Sequence, residues 1–183
     1  KAGARFYPGL VEELKNEGET ETGYAQVGAL SIHDDLEKIK KMQERAHLRH
    51  TDAPEIGEIT QLNQKETHER FPLLVDRYHS VHISGAARID GRALRDALIR
   101  SAQRNGATLI HGDAVLQYDS DHVTGVVVGA NSFSSDEVIV CAGAWANQLM
   151  LPLGIRFKVS FQKAQIMHLQ VPVKQDTGTW PVI

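Results

Sequence analysis

The stretch from Arg88 to Ala146 constrains the fold more than any other part of this chain, because it strings together start, stop and strand signals in a fixed order. Asp90 precedes Gly91 where a side-chain oxygen can cap the first free amides of a helix. Leu94, Leu98 and Ala102 follow at helical spacing, and Gly106 supplies a left-handed stop. This helix is expected to lie on a sheet. Short apolar runs come next: Leu109-Ile110, Ala114-Val115-Leu116, Val123 to Val128 and Val138 to Val140. Asp119-Ser120-Asp121 and Ala130-Asn131-Ser132 read as the turns between them, giving a strand, a hairpin and a return strand. Val138 to Val140 runs into the small residues Ala142-Gly143-Ala144, the pattern of a strand buried on both faces. In α/β sheets, the end of such a strand is where a ligand approaches the backbone.

In order, Ile89-Asp90-Gly91, Gly106-Ala107, Val115, Val123-Thr124-Gly125-Val126 and Ala142-Gly143-Ala144-Trp145 resemble the FAD-dependent amine oxidoreductases of the D-amino acid oxidase, glycine oxidase and sarcosine oxidase group. Gly28-Ala29-Leu30, Glu66 before Phe71-Pro72, and Leu153-Gly154 extend the likeness over most of the chain. The resemblance implies a mixed α/β and α+β fold: a partial, Rossmann-like FAD-binding lobe plus an antiparallel-sheet substrate lobe. Residues 1–20 and 88–146 would belong to the flavin lobe, and 21–87 and 147–183 to the substrate lobe. It further implies that the backbone at Val115 pairs with the adenine edge and that the Ala142-Gly143 turn, with Trp145 beside it, lies against the adenosine and pyrophosphate. Small residues let a main chain approach a ligand closely, and a strand offers donor and acceptor side by side. The plainer alternative makes Val115 strand core and Ala142 to Ala144 tight packing.

The activity so implied is oxidation of the carbon–nitrogen bond of a small amino acid or secondary amine, with FAD taking the hydride. No catalytic residue is assigned. Oxidation of a hydroxyl carbon, as in glycerol-phosphate or 2-hydroxy-acid dehydrogenases, is the alternative within enzymes. A binding or assembly module without flavin is the alternative outside them.

Two departures from the family pattern bear on this. Lys163-Ala164-Gln165 carries Ala where the family has Gly, and no Gly-x-Gly-x-x-Gly fingerprint occurs to cradle a pyrophosphate at a helix start. The chain therefore reads as an internal fragment of a larger enzyme, inactive alone and not expected to hold FAD. A strand at Val138 to Val140 left without a neighbour also invites self-association.

Composition narrows the partners. The net charge of -3 argues against nucleic acid, and the basic run Lys38 to Arg49 reads as a solvated helix face. One cysteine and no long apolar span suggest a reducing, cytoplasmic setting and no membrane span. Cys141 reads as an inert core thiol. His47 with His50, and His79 with His82, lack a third suitably spaced ligand, so they read as solvated and no metal is expected. No nucleophile elbow or P-loop is found.

Elsewhere, Phe6, Tyr7, Leu10, Val11 and Leu14 predict a helix that tolerates Pro8 only near its start. A strand is expected within Thr22 to Ile32, then a helix capped by Asp34 or Asp35 with Leu36, Ile39, Met42 and Ala46 inward, broken at Asp52-Ala53-Pro54. Ile56 to Leu62 reads as strand and loop, and Asn63 with Glu66 as a capping box. Trp145 to Met150 can form a short helix. Ile155 to Val171 alternates as one or two strands of a second antiparallel sheet, on which Gln165 and His168 face either the flavin or solvent.

Overall fold

A computed structural model of the chain describes residues 2–165, 167 and 176–183. They form two compact units, Lys1–Thr108 with Val173–Ile183, and Leu109–Pro172. The strands of both sheets pair antiparallel, apart from a parallel bridge between Ala29 and Val182.

The first unit contains helices α1 (Ala2–Asn16), α2 (Leu36–Asp52), α3 (Gln64–Arg70) and α4 (Gly91–Arg104), and strands β1 (Ala29–His33), β2 (Ile59–Leu62) and β3 (His79–Ile83). The strands lie in the order β1-β3-β2, so β3 is central, with Leu30 and Thr60 flanking His82. Helix α2 contacts all three strands. Along β3, Ser80, Val81 and His82 are all buried. The sequence carried only a weak strand signal there, since polar residues occupy positions that a buried strand normally fills with apolar ones. Ser80 is satisfied by a 2.9 Å hydrogen bond between its hydroxyl and that of Thr67, itself buried, which fastens α3 to the sheet. His82 is not solvated as expected. Burial, and then the charge of Arg70, hold its pKa below 6.5, so the buried ring is neutral at pH 7.

Capping follows the sequence closely. Asp35 rather than Asp34 caps α2, accepting from the Glu37 amide at 2.8 Å. Asn63 and Glu66 form the reciprocal capping box of α3. Asp90 accepts from the amides of Arg92 and Ala93, and these bonds lower its pKa. Gly106 stands at φ +92° just past α4, while the Ala107 amide reaches back to the Ala102 carbonyl at 2.9 Å.

Other expectations are corrected. Leu36 is 54% exposed, leaving Ile39 as the buried residue of α2. Pro8 lies inside α1, where its ring nitrogen forgoes one helical bond. Helix α4 packs against α1 through Leu14, Leu94 and Ala97, with Tyr7, Leu10 and Ile89 around them. Its small Ala97 permits close approach to a helix. A short segment near the end of the chain extends the sheet of this unit: Leu30 donates to the Val182 carbonyl at 2.7 Å and Val182 to that of Gly28 at 3.0 Å. Trp180 stacks obliquely on Phe71, with centroids 4.7 Å apart.

The loop after α1 is tied to α4 by charge. Arg100 Nη2 meets Glu19 Oε2 at 2.5 Å and Arg104 Nη1 meets Glu19 Oε1 at 2.6 Å, from successive turns of one helix face. Glu17 beside it accepts from Ser101 and Asn105. The hydrogen bonds from Arg100, then Arg104, lower the Glu19 pKa from 4.5 to about 2.

The second unit is a meander of β4 (Ala114–Asp119), β5 (His122–Val128) and β6 (Asn131–Ser134), followed by the short helix α5 (Ala146–Met150) between one-turn 3-10 segments at Gly143–Trp145 and Leu151–Leu153. The third strand is thus Asn131–Ser134, where a turn was expected. Val138 to Val140 forms no strand, and Ile139 is 86% exposed. An apolar run becomes a strand only where a neighbour completes its hydrogen bonds, and among the described residues no strand pairs with Val138 to Val140. Residues 155–165 likewise form no strand, and the remainder of that expected element, with His168, lies largely outside the described residues. Among the described residues, Leu116 is the only large apolar side chain of this unit that is buried.

Two outcomes are expected. Because the folded pKa of Glu19 lies below its ordinary value, its contribution is complete above about pH 4.5 and fades as pH falls towards about 2. Glu19→Gln is therefore expected to lower the melting temperature at pH 7, with the difference from wild type closing as a pH series descends to 2. In the β4–β5 hairpin, Ser120 adopts φ 57°, a conformation costly for a side chain. Ser120→Gly is expected to stabilise the second unit by about 0.5–1 kcal/mol in denaturant titrations.

Candidate functional site

A cavity of about 600 Å³ lies within the second unit, lined by Gly112, Asp113, Ala114, Val115, Ala142, Trp145, Gln148, Leu149 and Pro152. That volume suits part of a cofactor or a small molecule. Three of the four residues singled out from sequence, Val115, Ala142 and Trp145, meet on its wall although 30 positions separate the first from the last.

Local structure explains the convergence. Among the described residues β4 is the outer strand of its sheet, paired only with β5. Along such an edge alternate backbone N–H and C=O groups have no ladder partner. Leu116 turns inward and is buried, whereas Val115, one residue earlier, faces out and is 59% exposed. Val115 is thus a surface position of β4 among the described residues. From the other side, Gly143 adopts φ +52°, with open space where a Cβ would stand. This left-handed step starts the 3-10 turn that lifts Trp145 into position, and the Trp145 amide closes it on the Ala142 carbonyl at 2.9 Å. Gly143 shapes the turn without lining the cavity. Trp145 is 63% exposed, its indole meeting Phe161 edge to face at 5.4 Å.

Sequence reasoning missed Asp113, Gln148, Leu149 and Pro152. A signal was there: Trp145, Gln148, Leu149 and Pro152 recur at intervals of three, four and seven, which is one face of a short helix. Chemically the wall is a mostly apolar surface with small residues at Ala114 and Ala142, an aromatic edge, one carboxylate and one amide. It can take a flat heterocycle against Ala142 and Val115 and offer Asp113 and Gln148 to polar substituents.

The other candidates separate. Cys141 is exposed rather than a core thiol, since no strand forms around it. His47 and His50 are exposed on α2 and border a shallower hollow with Gly57, Glu58 and Ile59. Among the described residues no group of three or more His, Cys, Asp or Glu could hold a metal ion, and no helix is long and apolar enough to cross a membrane. Gln165 is exposed and outside any strand.

Comparison with known proteins gives this geometry a context. Residues 2–183 match the family described as "DAO: FAD dependent oxidoreductase". The "Uncharacterized oxidoreductase YurR" of Bacillus subtilis (strain 168) is 55% identical over 183 residues, covering 100% of this chain and 49% of that protein. A glycine oxidase of Pseudomonas aeruginosa is 26% identical over 168 residues, covering 88% of this chain and 43% of its own. Among solved structures, iminodiacetate oxidase from Chelativorans sp. BNC1 superposes with a TM-score of 0.90 at 40% identity, over 98% of this chain and 48% of that one. The chain spans about half the length of the relatives it matches. Its mixed α and β architecture with antiparallel sheets agrees with theirs, and the chain belongs to the DAO family of FAD-dependent oxidoreductases.

Proposed function

We propose that this chain is part of a flavoenzyme that oxidises the carbon–nitrogen bond of a small amino acid or secondary amine. The observation that carries this reading is the 40% identity to an iminodiacetate oxidase across 98% of the chain, supported by the likeness to a glycine oxidase. Iminodiacetate is a secondary amine bearing carboxylates, and glycine a primary one.

In this reading Val115, Ala142, Gly143 and Trp145 serve the adenosine end of FAD. The unpaired edge of β4 supplies backbone groups for the adenine, Ala142 leaves room for its ring, and Trp145 closes one side of the cavity. The residues present fit that end of the cofactor only. This sequence has no glycine-rich helix start for the pyrophosphate, so the remaining contacts fall to other parts of a relative-length protein. FAD, when bound, accepts the hydride from the substrate carbon. The protein's share is to aim that carbon and exclude water. Residues 1–20 and 88–146 are assigned to the flavin lobe, and 21–87 and 147–183 to the substrate lobe. A cytoplasmic setting and self-association of the isolated chain belong to the same proposal. The edges of its meander, β4 and β6, are open to pairing among the described residues.

A relative-length protein carrying this sequence is expected to release peroxide with iminodiacetate, sarcosine or glycine, and to be inert towards glycerol phosphate and 2-hydroxy acids. Turnover confined to the hydroxyl substrates would move the assignment to a dehydrogenase of hydroxyl carbons. The 183-residue chain alone is expected to purify colourless and inactive; a flavin absorption band at stoichiometric level would refute that part. In the longer protein, Ala142→Leu is expected to lower the ratio of bound flavin to protein at least tenfold, while the same change at the exposed Ala107 leaves it unaltered.

A further inference from the structure

A second concave surface lies wholly within the first unit and takes no part in the flavin reading. It is a groove of about 480 Å³ lined by Ala25, Gln26, Val27, Gly28, Arg70, His82, Ser84, Gly178 and Thr179. We propose that this groove binds a small monoanionic carboxylate, gripped by the Arg70 guanidinium with the Gln26 amide and the Ser84 hydroxyl as neutral donors.

Arg70 ends α3, its guanidinium makes no hydrogen bond or ion pair with another described residue, and no carboxylate lines the groove. The Ser84 hydroxyl oxygen already accepts from the Glu58 amide at 2.8 Å, which leaves its own hydrogen to donate. Gln26 Nε2 sits 3.4 Å from the Ser84 carbonyl, a long bond that leaves its second amide hydrogen free. The far wall is held in place: Arg88 Nη2 donates to the Gly178 carbonyl at 3.1 Å, and the Gly178 amide donates to Asp176 Oδ1 at 2.8 Å. Asp176 caps this turn through Oδ1 and does not line the groove.

The floor is His82, only 9% exposed, over whose ring the Gly28 backbone passes so closely that a Cβ there would overlap Nε2. Burial and, after it, the charge of Arg70 oppose protonation of this ring, and Glu58 alone favours it; the balance lowers its pKa, so the ring brings no charge to the groove. One free guanidinium then matches one negative charge. A phosphate dianion would ask for a second cation, and Arg88 does not line the groove. A planar carboxylate also suits the fork of an arginine.

The plainer account makes Arg70 a solvated cation favoured by the end of its helix. Titration of the 183-residue protein separates the two. With sodium acetate as probe at constant ionic strength, the ¹H–¹⁵N signals of the His82 imidazole are expected to move saturably. Arg70→Ala is expected to weaken the apparent affinity roughly tenfold or more, with an unchanged melting temperature, since Arg70 is exposed. Arg70→Lys keeps part of the effect, and Gln26→Ala, at a second exposed position, weakens binding less. A linear, non-saturating shift, an equal response in Arg70→Ala, or tighter binding of inorganic phosphate than of acetate would overturn the proposal. None of these outcomes touches the flavin assignment, because no cofactor contact enters the groove.

Discussion

The outer edge of β4 is the feature on which the candidate site depends. A strand paired on both sides commits its backbone groups to its neighbours, whereas β4, among the described residues, is bound only by β5 and keeps alternate donors and acceptors for something else. Such an edge is normally a liability. Here it forms part of a cavity whose opposite wall is built from a left-handed glycine turn and one face of a single helical turn. The same alternation that buries Leu116 presents Val115 to that cavity, so the packing of the meander and the exposure of the site are one geometric fact.

The first unit shows a different economy. Its central strand places Ser80 and His82 where apolar side chains would be cheaper, and each is accommodated differently. Ser80 finds the Thr67 hydroxyl, and His82 sheds its charge. Outside the sheet, one carboxylate, Glu19, gathers two arginines from successive turns of α4 and closes the loop after α1 onto that helix. Its value lies in geometry, since both carboxylate oxygens are used and the acid is nearly buried while the arginines remain half in water.

Much of the local structure was legible in the residues. Asp90, Asn63 with Glu66 and Gly106 mark helix ends through hydrogen bonds made within a few positions, and each does so in the structure. The strand misreadings share one cause. Val138 to Val140 has the composition of a buried strand and none of the pairing, while Asn131–Ser134 has a turn-like composition and pairs with β5. Pairing depends on what lies alongside, which apolar periodicity does not report. Cys141 was misplaced with its supposed strand, and β3 was understated because its alternate positions carry Ser and His.

The candidate site divides along the same line. Val115, Ala142 and Trp145 could be marked in advance because strand, small corner and helix follow in a recognisable order, but Asp113 and Gln148 join them only through folding. The Arg70 groove left no trace in the linear order, as its walls come from segments near positions 26, 70, 84 and 178. What the sequence by itself determined is the family, the caps and stops of the helices, and the small-residue corner, because each rests on side chains acting on neighbours a turn or less away. Which runs become strands, which face of β4 stays open and which side chains gather around Arg70 were decided by the tertiary structure alone, because those outcomes depend on segments brought together from distant parts of the chain.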